Sequence, residues 1–188
     1  MNDRMPPLSL DNMTAAQRKA ADELTAGPRK GVRGPFVPLL RAPELMDRLQ
    51  RVGEYLRFQS SLEPRISEFI MLIISREWCQ QFEWAVHVPL GQKAGLSEET
   101  IQGLAEGRRP PAMKPDEVVV YEFCDELLRT KGVCDLTYQR AVTAFGENGV
   151  MDMVGVAGYF ITVSMVMNVA HTPPPHDAGV GPLRHFPC

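Results

Sequence analysis

The stretch that most constrains this chain runs from Pro64 to Ile74, PRISEFIMLII. A proline at the first helical position supplies a preset φ and lacks an amide that the turn would leave unbonded anyway, so Pro64 opens a helix. Ile66, Phe69, Ile70, Leu72, Ile73 and Ile74 make that helix apolar on most sides. Such a helix belongs in a core or a subunit interface. Glu68 falls inside the run. A carboxylate there either faces solvent or is buried, and a buried one must be paired or kept neutral.

The next segment, Arg76-Glu77-Trp78-Cys79-Gln80-Gln81-Phe82-Glu83-Trp84-Ala85-Val86-His87, breaks near 76–80 and then resumes as a helix from about Gln81 to Ala94, with Gly95 as its terminator. Glu83 and His87 are four residues apart, so they stack on one face a turn apart. A carboxylate beside an imidazole is either an exposed ion pair or a proton-transfer pair in which each tunes the other.

Helical signals continue on both sides. After a loose arm over 1–12, with Asn12 or Asp11 as cap, a helix covers Thr14 to Ala26 and stops at Gly27-Pro28. The loop 27–38 carries Arg29, Lys30 and Arg33, and its Gly34-Pro35-Phe36 either lines a pocket or merely connects. Pro43 opens a helix to about Gln59, with Leu45, Leu49, Val52 and Leu56 as its apolar face. Ser97 caps a short helix ending by Gly107. Asp116–Lys131 is amphipathic, with Val119, Phe123, Leu127 and Leu128 inward. Helices over Asp135–Phe145 and Glu147–Ala170 follow, and the proline-rich 172–188 is an extended tail. No strand alternation stands out, so the fold class is all-α. The division is an N-terminal arm and helix over 1–34, a helical domain over 35–171 and the tail.

Charge and cysteines exclude several classes. With 20 basic and 23 acidic residues the net charge is −3, which offers no long-range pull toward nucleic acid or an anionic membrane. The last helix approaches spanning length, but Asp152, Gly155, Gly158, Ser164 and Asn168 interrupt it and no basic anchors flank it. Cys79, Cys124, Cys134 and Cys188 form no CxxC, and the polar start of the chain has no signal-peptide character, so free thiols and a cytoplasmic location are expected. His176 and His185 lack metal-site spacing, and no metal is expected.

The order Glu68, then Glu83-Trp84-Ala85-Val86-His87-Val88, then Ala94-Gly95-Leu96-Ser97-Glu98-Glu99 resembles the carboxymuconolactone decarboxylase and alkyl hydroperoxidase D superfamily. The likeness covers roughly 35–170. It implies an all-helical homo-oligomer, a trimer or hexamer and in some cases a dimer, with active sites near subunit contacts. In the peroxidase branch, with its peroxiredoxin activity, a Glu is followed by CxxCxxxH. Aligned on His87, those cysteines fall on Gln80 and Glu83, and Cys79 stands alone one place out of register. Peroxidase activity of the family kind is therefore expected to be absent.

The decarboxylase branch has Glu four and about nineteen residues before the His, which places Glu68, Glu83 and His87 in a proton-transfer cluster without metal or organic cofactor. In such a cluster His87 fits the general acid or base, Glu83 the group that holds its tautomer, and Glu68 a protonated acid that donates to the substrate or relays protons. Trp78, Trp84 and Phe36 are candidates to wall a dry pocket, and Arg76 or Arg33 to neutralise a substrate carboxylate; the alternatives are ordinary core packing for the two tryptophans and a solvated face for the arginines. The expected function is a lyase acting on a small carboxylated or lactone-like molecule. The alternatives are an antioxidant enzyme using Cys79 and a non-catalytic ligand-binding oligomer.

Overall fold

A computed structural model describes residues 2–175 and 179–184, so the calls on His176, His185 and Cys188 lie outside the described residues. The described chain is all-helical. A short 3-10 turn, Leu10–Asn12, precedes α1 (Ala15–Ala26), α2 (Phe36–Leu39), α3 (Pro43–Phe58), α4 (Pro64–Glu77), α5 (Gln81–Ala94), α6 (Glu98–Ala105), α7 (Pro115–Thr130) and α8 (Asp135–Ala170). Prolines open α3, α4 and α7, as their preset φ favours. Thr14, rather than Asn12 or Asp11, caps α1. The 3-10 turn occupies those two residues, while Thr14 and Gln17 bond each other's backbone amides reciprocally. Ser97 caps α6 by accepting the Thr100 amide at 3.1 Å. Gly146, at φ 70° and ψ 171°, divides α8 into the two helical segments expected from the sequence.

α4 is the central helix. It packs against α5, α6, α7 and α8, and every residue from Ile66 to Arg76 is buried except the half-buried Glu68. Phe69, Ile70, Leu72 and Ile74 are completely enclosed. Side chains of this kind contribute about 1.5–3 kcal/mol each by leaving water. Along α3 the buried residues are Met46, Gly53 and Leu56, whereas Leu45 and Val52 are exposed. The inward face is thus rotated from the one expected. It is set by a satellite core of Ala20, Leu24, Phe36, Leu39, Leu40 and Met46, which forms where α1 and α2 fold back on α3.

The N-terminal arm is also docked rather than loose: the Arg4 amide donates to the Ala170 carbonyl at 2.8 Å, and Arg41 donates to the Pro6 carbonyl at 2.7 Å. On α7 the fully buried side chains are Glu117, Val120, Phe123 and Cys124, with Val119, Leu127 and Leu128 half-buried beside them. By length and composition α8 would span a membrane, but 56% of its most apolar window is buried inside the protein.

Asp152, on that apolar helix, anchors the turn between α3 and α4. It accepts the Ser61 amide and hydroxyl, both at 2.7 Å, and the Tyr55 hydroxyl at 3.0 Å. Burial pushes its carboxyl up, but these hydrogen bonds outweigh burial and hold it below the usual carboxylate range. Asp152→Asn is expected to cost about 1–3 kcal/mol near neutral pH, because the amide cannot accept all three bonds. A depressed folded pKa gives stability that is present above the ordinary value of 3.8 and is lost as pH falls through the folded one. Urea midpoints of the two proteins should therefore converge in acid, and a constant gap would contradict the assignment.

Candidate active site

α4 and α5 lie side by side and bring three polar side chains together. His87 Nδ1 is 2.7 Å from Glu68 Oε2, and His87 Nε2 is 3.0 Å from Glu83 Oε2. The imidazole is 2% exposed, and the two carboxylates 13% and 6%. Burial drives a histidine toward its neutral form, yet the bonds to Glu68 and Glu83 outweigh it and hold His87 above its ordinary value of 6.5. As an imidazolium the ring donates to both carboxylates at once. Phe160 of α8 packs edge-on against it, with ring centres 5.1 Å apart.

The reversal between α4 and α5 fixes this register. Cys79 takes a left-handed φ of 46°, and the Gln80 side chain caps α5 by accepting the Phe82 amide at 2.6 Å. Gln80 Nε2 donates to Asn168 at 2.8 Å, and Asn168 donates to the Trp78 carbonyl at 3.0 Å, which ties the turn to α8. Glu83 thus enters the first turn of α5, where the helix dipole favours a carboxylate.

Glu83 and His87 line a hollow of about 430 Å³. Phe36, Phe58, Phe82 and Phe160 give it apolar walls, and Arg29, Arg33 and Arg57 give it positive charge. Two of the arginines stack on aromatic rings, Arg29 over Phe36 at 4.6 Å and Arg57 over Phe58 at 5.4 Å. Of the residues singled out from the sequence, Arg33, Pro35 and Phe36 line this hollow.

The tryptophans do not wall it. Trp84 and Arg76 line a separate cavity of about 490 Å³ on another side of α5, shared with Val88, Ile101 and tail residues 179–182 and 184. Trp84 follows Glu83 by one position, a rotation of about 100° on a helix, so it points away from the hollow. Arg76 donates to the Arg184 carbonyl, and Gln81 exchanges two 2.9 Å bonds with the Leu183 backbone, strapping the tail across that cavity. Trp78 is half-buried against the main core.

Cys79 belongs to the same tail contact, with Sγ 3.6 Å from the Arg184 carbonyl and 3.8 Å from Arg76 Nη1. Cys79, Cys124 and Cys134 are all free, and burial pushes the Cys124 thiol up to about 12. No group of metal-ligating side chains with suitable geometry occurs among the described residues. Arg29, Arg57 and Tyr159 are the polar lining residues that the sequence reading did not assign to the site. The signal for Tyr159 was a phenol inside the otherwise apolar α8, between the small residues Gly155 and Gly158 and the Thr162 hydroxyl.

Residues 43–126 match the Carboxymuconolactone decarboxylase family. In fold, the chain is similar to the alkylhydroperoxidase AhpD core of an uncharacterized peroxidase-related protein from Ralstonia eutropha, with a TM-score of 0.76 and 13% identity over 93% of each chain. An uncharacterized peroxidase-related protein from Silicibacter sp. superposes with a TM-score of 0.75 and 13% identity, over 98% of this chain and 97% of that one. A protein of unknown function from Agrobacterium tumefaciens, considered an antioxidant defence protein of the AhpD kind, gives 0.65 and 19% identity over 74% of this chain and 96% of its own. No curated protein matches the chain. The likeness to the carboxymuconolactone decarboxylase and alkyl hydroperoxidase D superfamily therefore holds in sequence over 43–126 and in fold over nearly the whole chain.

Proposed function

We propose that this protein is a cofactor-independent lyase of the carboxymuconolactone decarboxylase type, acting on a small carboxylated or lactone-like molecule by proton transfer. The observation that carries this reading is His87 held between Glu68 and Glu83 at the wall of a half-open, cationic hollow. Of the three groups, Glu83 and His87 line the hollow, and Glu68 stands behind the ring. Glu68 is then a positioning residue that holds the imidazole and accepts or returns its second proton.

In the reaction, the bond to the leaving CO2 breaks and its electron pair moves into the adjacent unsaturated system. The proton that completes the product arrives from the Glu83–His87 pair and is later restored from solvent. The apolar side chains in the wall of the hollow strengthen the charge interactions along this path. The arginines balance the negative charge that a carboxylate substrate brings in.

Cys79 lies in the tail contact rather than on the hollow, and Gln80 and Glu83 occupy the positions where the peroxidase branch carries sulfur, so nothing favours a thiol route. We propose a homo-oligomer as well, supported by the exposed Val52 and Phe58 on α3 and Met151, Val154 and Val169 on α8.

Screening small lactones, 2-oxo acids and β-keto acids for CO2 release tests the activity. With a substrate in hand, Glu83→Gln is expected to lower turnover on the order of 10²-fold or more, as removal of a proton-transfer group does. Full turnover in that variant would refute the assignment.

A further inference from the structure

The proton-transfer groups leave one part of the hollow unexplained. Arg29 Nε, Arg29 Nη2 and Tyr159 Oη are buried and without a hydrogen-bond partner among the described residues. A weak hydrogen bond from Arg29 pulls against the rise of the Tyr159 phenol, but its geometry leaves all three atoms short of a proper partner. A buried donor without a partner is costly, and a charged one more so, so three such atoms together beside a pocket call for an occupant.

Their chemistry specifies the occupant. Nε and Nη2 share one edge of the guanidinium, and that edge offers two parallel N–H groups matched to the two oxygens of a carboxylate. Stacking on Phe36 at 4.6 Å holds the guanidinium in place. Burial pushes the Tyr159 phenol up, against the opposing pull of Arg29, so it remains a neutral O–H donor. Tyr159 is 7% exposed and packs edge-on against Phe160, which in turn meets His87.

The backbone makes room for the pair. A Cβ at Gly53 of α3 would lie 2.3 Å from Tyr159 Oη and 2.6 Å from Arg29 Nη2, so any larger residue there would displace both donors.

We propose that Arg29 and Tyr159, with Gly53 beside their donor atoms, form a carboxylate clamp that holds the anionic end of the ligand while its unsaturated or cyclic body lies among Phe36, Phe58 and Phe82. That this ligand is the substrate rests on the proton-transfer reading; as a binding site the clamp stands by itself. All of its donors come from outside residues 43–126, the segment that the family match covers.

Calorimetric titration of the full chain with benzoate, and with benzamide as its neutral counterpart, provides the test. Benzoate is expected to bind at least about tenfold more tightly than benzamide. Arg29→Lys keeps the charge but loses the fork and is expected to weaken benzoate at least about tenfold while leaving benzamide unchanged. Tyr159→Phe is expected to weaken it severalfold. Gly53→Ala should do the same with both donors still present, and the surface change Arg48→Gln should have no effect. If Arg29→Lys fails to fold, Tyr159→Phe and the benzoate–benzamide comparison decide.

Absence of benzoate binding, equal binding of the two probes, or unchanged benzoate affinity in both Arg29→Lys and Tyr159→Phe would overturn the clamp. Benzoate binding that depends on Arg29, in a protein that releases CO2 from no substrate, would keep the clamp and defeat the lyase. Turnover that survives undiminished in the clamp variants would do the reverse.

Discussion

Replacing His87 with alanine is expected to reduce turnover on the order of 10²- to 10⁴-fold, the usual span for a general acid–base group. The same change should destabilise the fold by about 3–5 kcal/mol, because it leaves two buried carboxylates facing an empty space with no cation between them. Activity and stability can be separated with His87→Gln, which can still donate to one carboxylate but cannot carry a proton. Turnover should stay lost there while much of the stability returns.

The stability penalty should also depend on pH in a defined direction. His87 titrates above its ordinary value of 6.5, so its ion pairs stabilise the fold fully below that value and less as pH rises through the folded pKa. Denaturant midpoints for wild type and His87→Ala should thus differ most at mildly acid pH and approach each other in alkali. A gap that widens with pH would mean that the ring is neutral in the folded protein.

The second large effect is expected at Arg65, far from the hollow. Arg65 reaches from the first turn of α4 to Asp116 and Glu117 in the first turn of α7. Its side chain is 12% exposed and that of Glu117 is 1% exposed. Hydrogen bonding to Asp116 raises the guanidinium further above its usual range. Arg65→Met should cost about 3–5 kcal/mol by stranding the Glu117 charge in the interior. Removing the charge as well, in Arg65→Met/Glu117→Gln, should recover most of that loss. A double variant no more stable than the single one would show that packing around Arg65, not the ion pair, is what matters. Urea unfolding of the three proteins is sufficient to decide.

Most of the architecture was legible because helices are local objects. Pro43, Pro64, Ser97, Gly95 and Gly146 each act within a few residues, and each starts or stops a helix where the sequence indicates. The meeting of Glu83 with His87 is equally local, a matter of one helical turn. That of Glu68 with His87 spans two helices, and only the resemblance to a family pattern pointed to it.

The failures are failures of orientation and of long-range contact. Of the expected α3 face, Leu56 is buried and Leu49 half-buried, but Leu45 and Val52 are exposed, because burial of Met46 and Gly53 is decided by α1, α2 and the Arg29–Tyr159 pair. Trp84 packs in the core and lines the second cavity instead of the hollow, because on a helix the neighbour of Glu83 in sequence points elsewhere. Arg76 turned to the tail, whose path no local signal describes. Arg29 and Tyr159 lie more than a hundred residues apart, and nothing in either segment alone places them together.

An imidazole grasped at both nitrogens has no freedom to swing. Whatever enters the hollow must come to the ring, and a proton can pass from Glu83 through His87 to Glu68 by shifting along existing hydrogen bonds, with no side chain changing rotamer. The site is in that sense a fixed conductor rather than a moving arm, with one terminal at the ligand and the other on the far side of the ring.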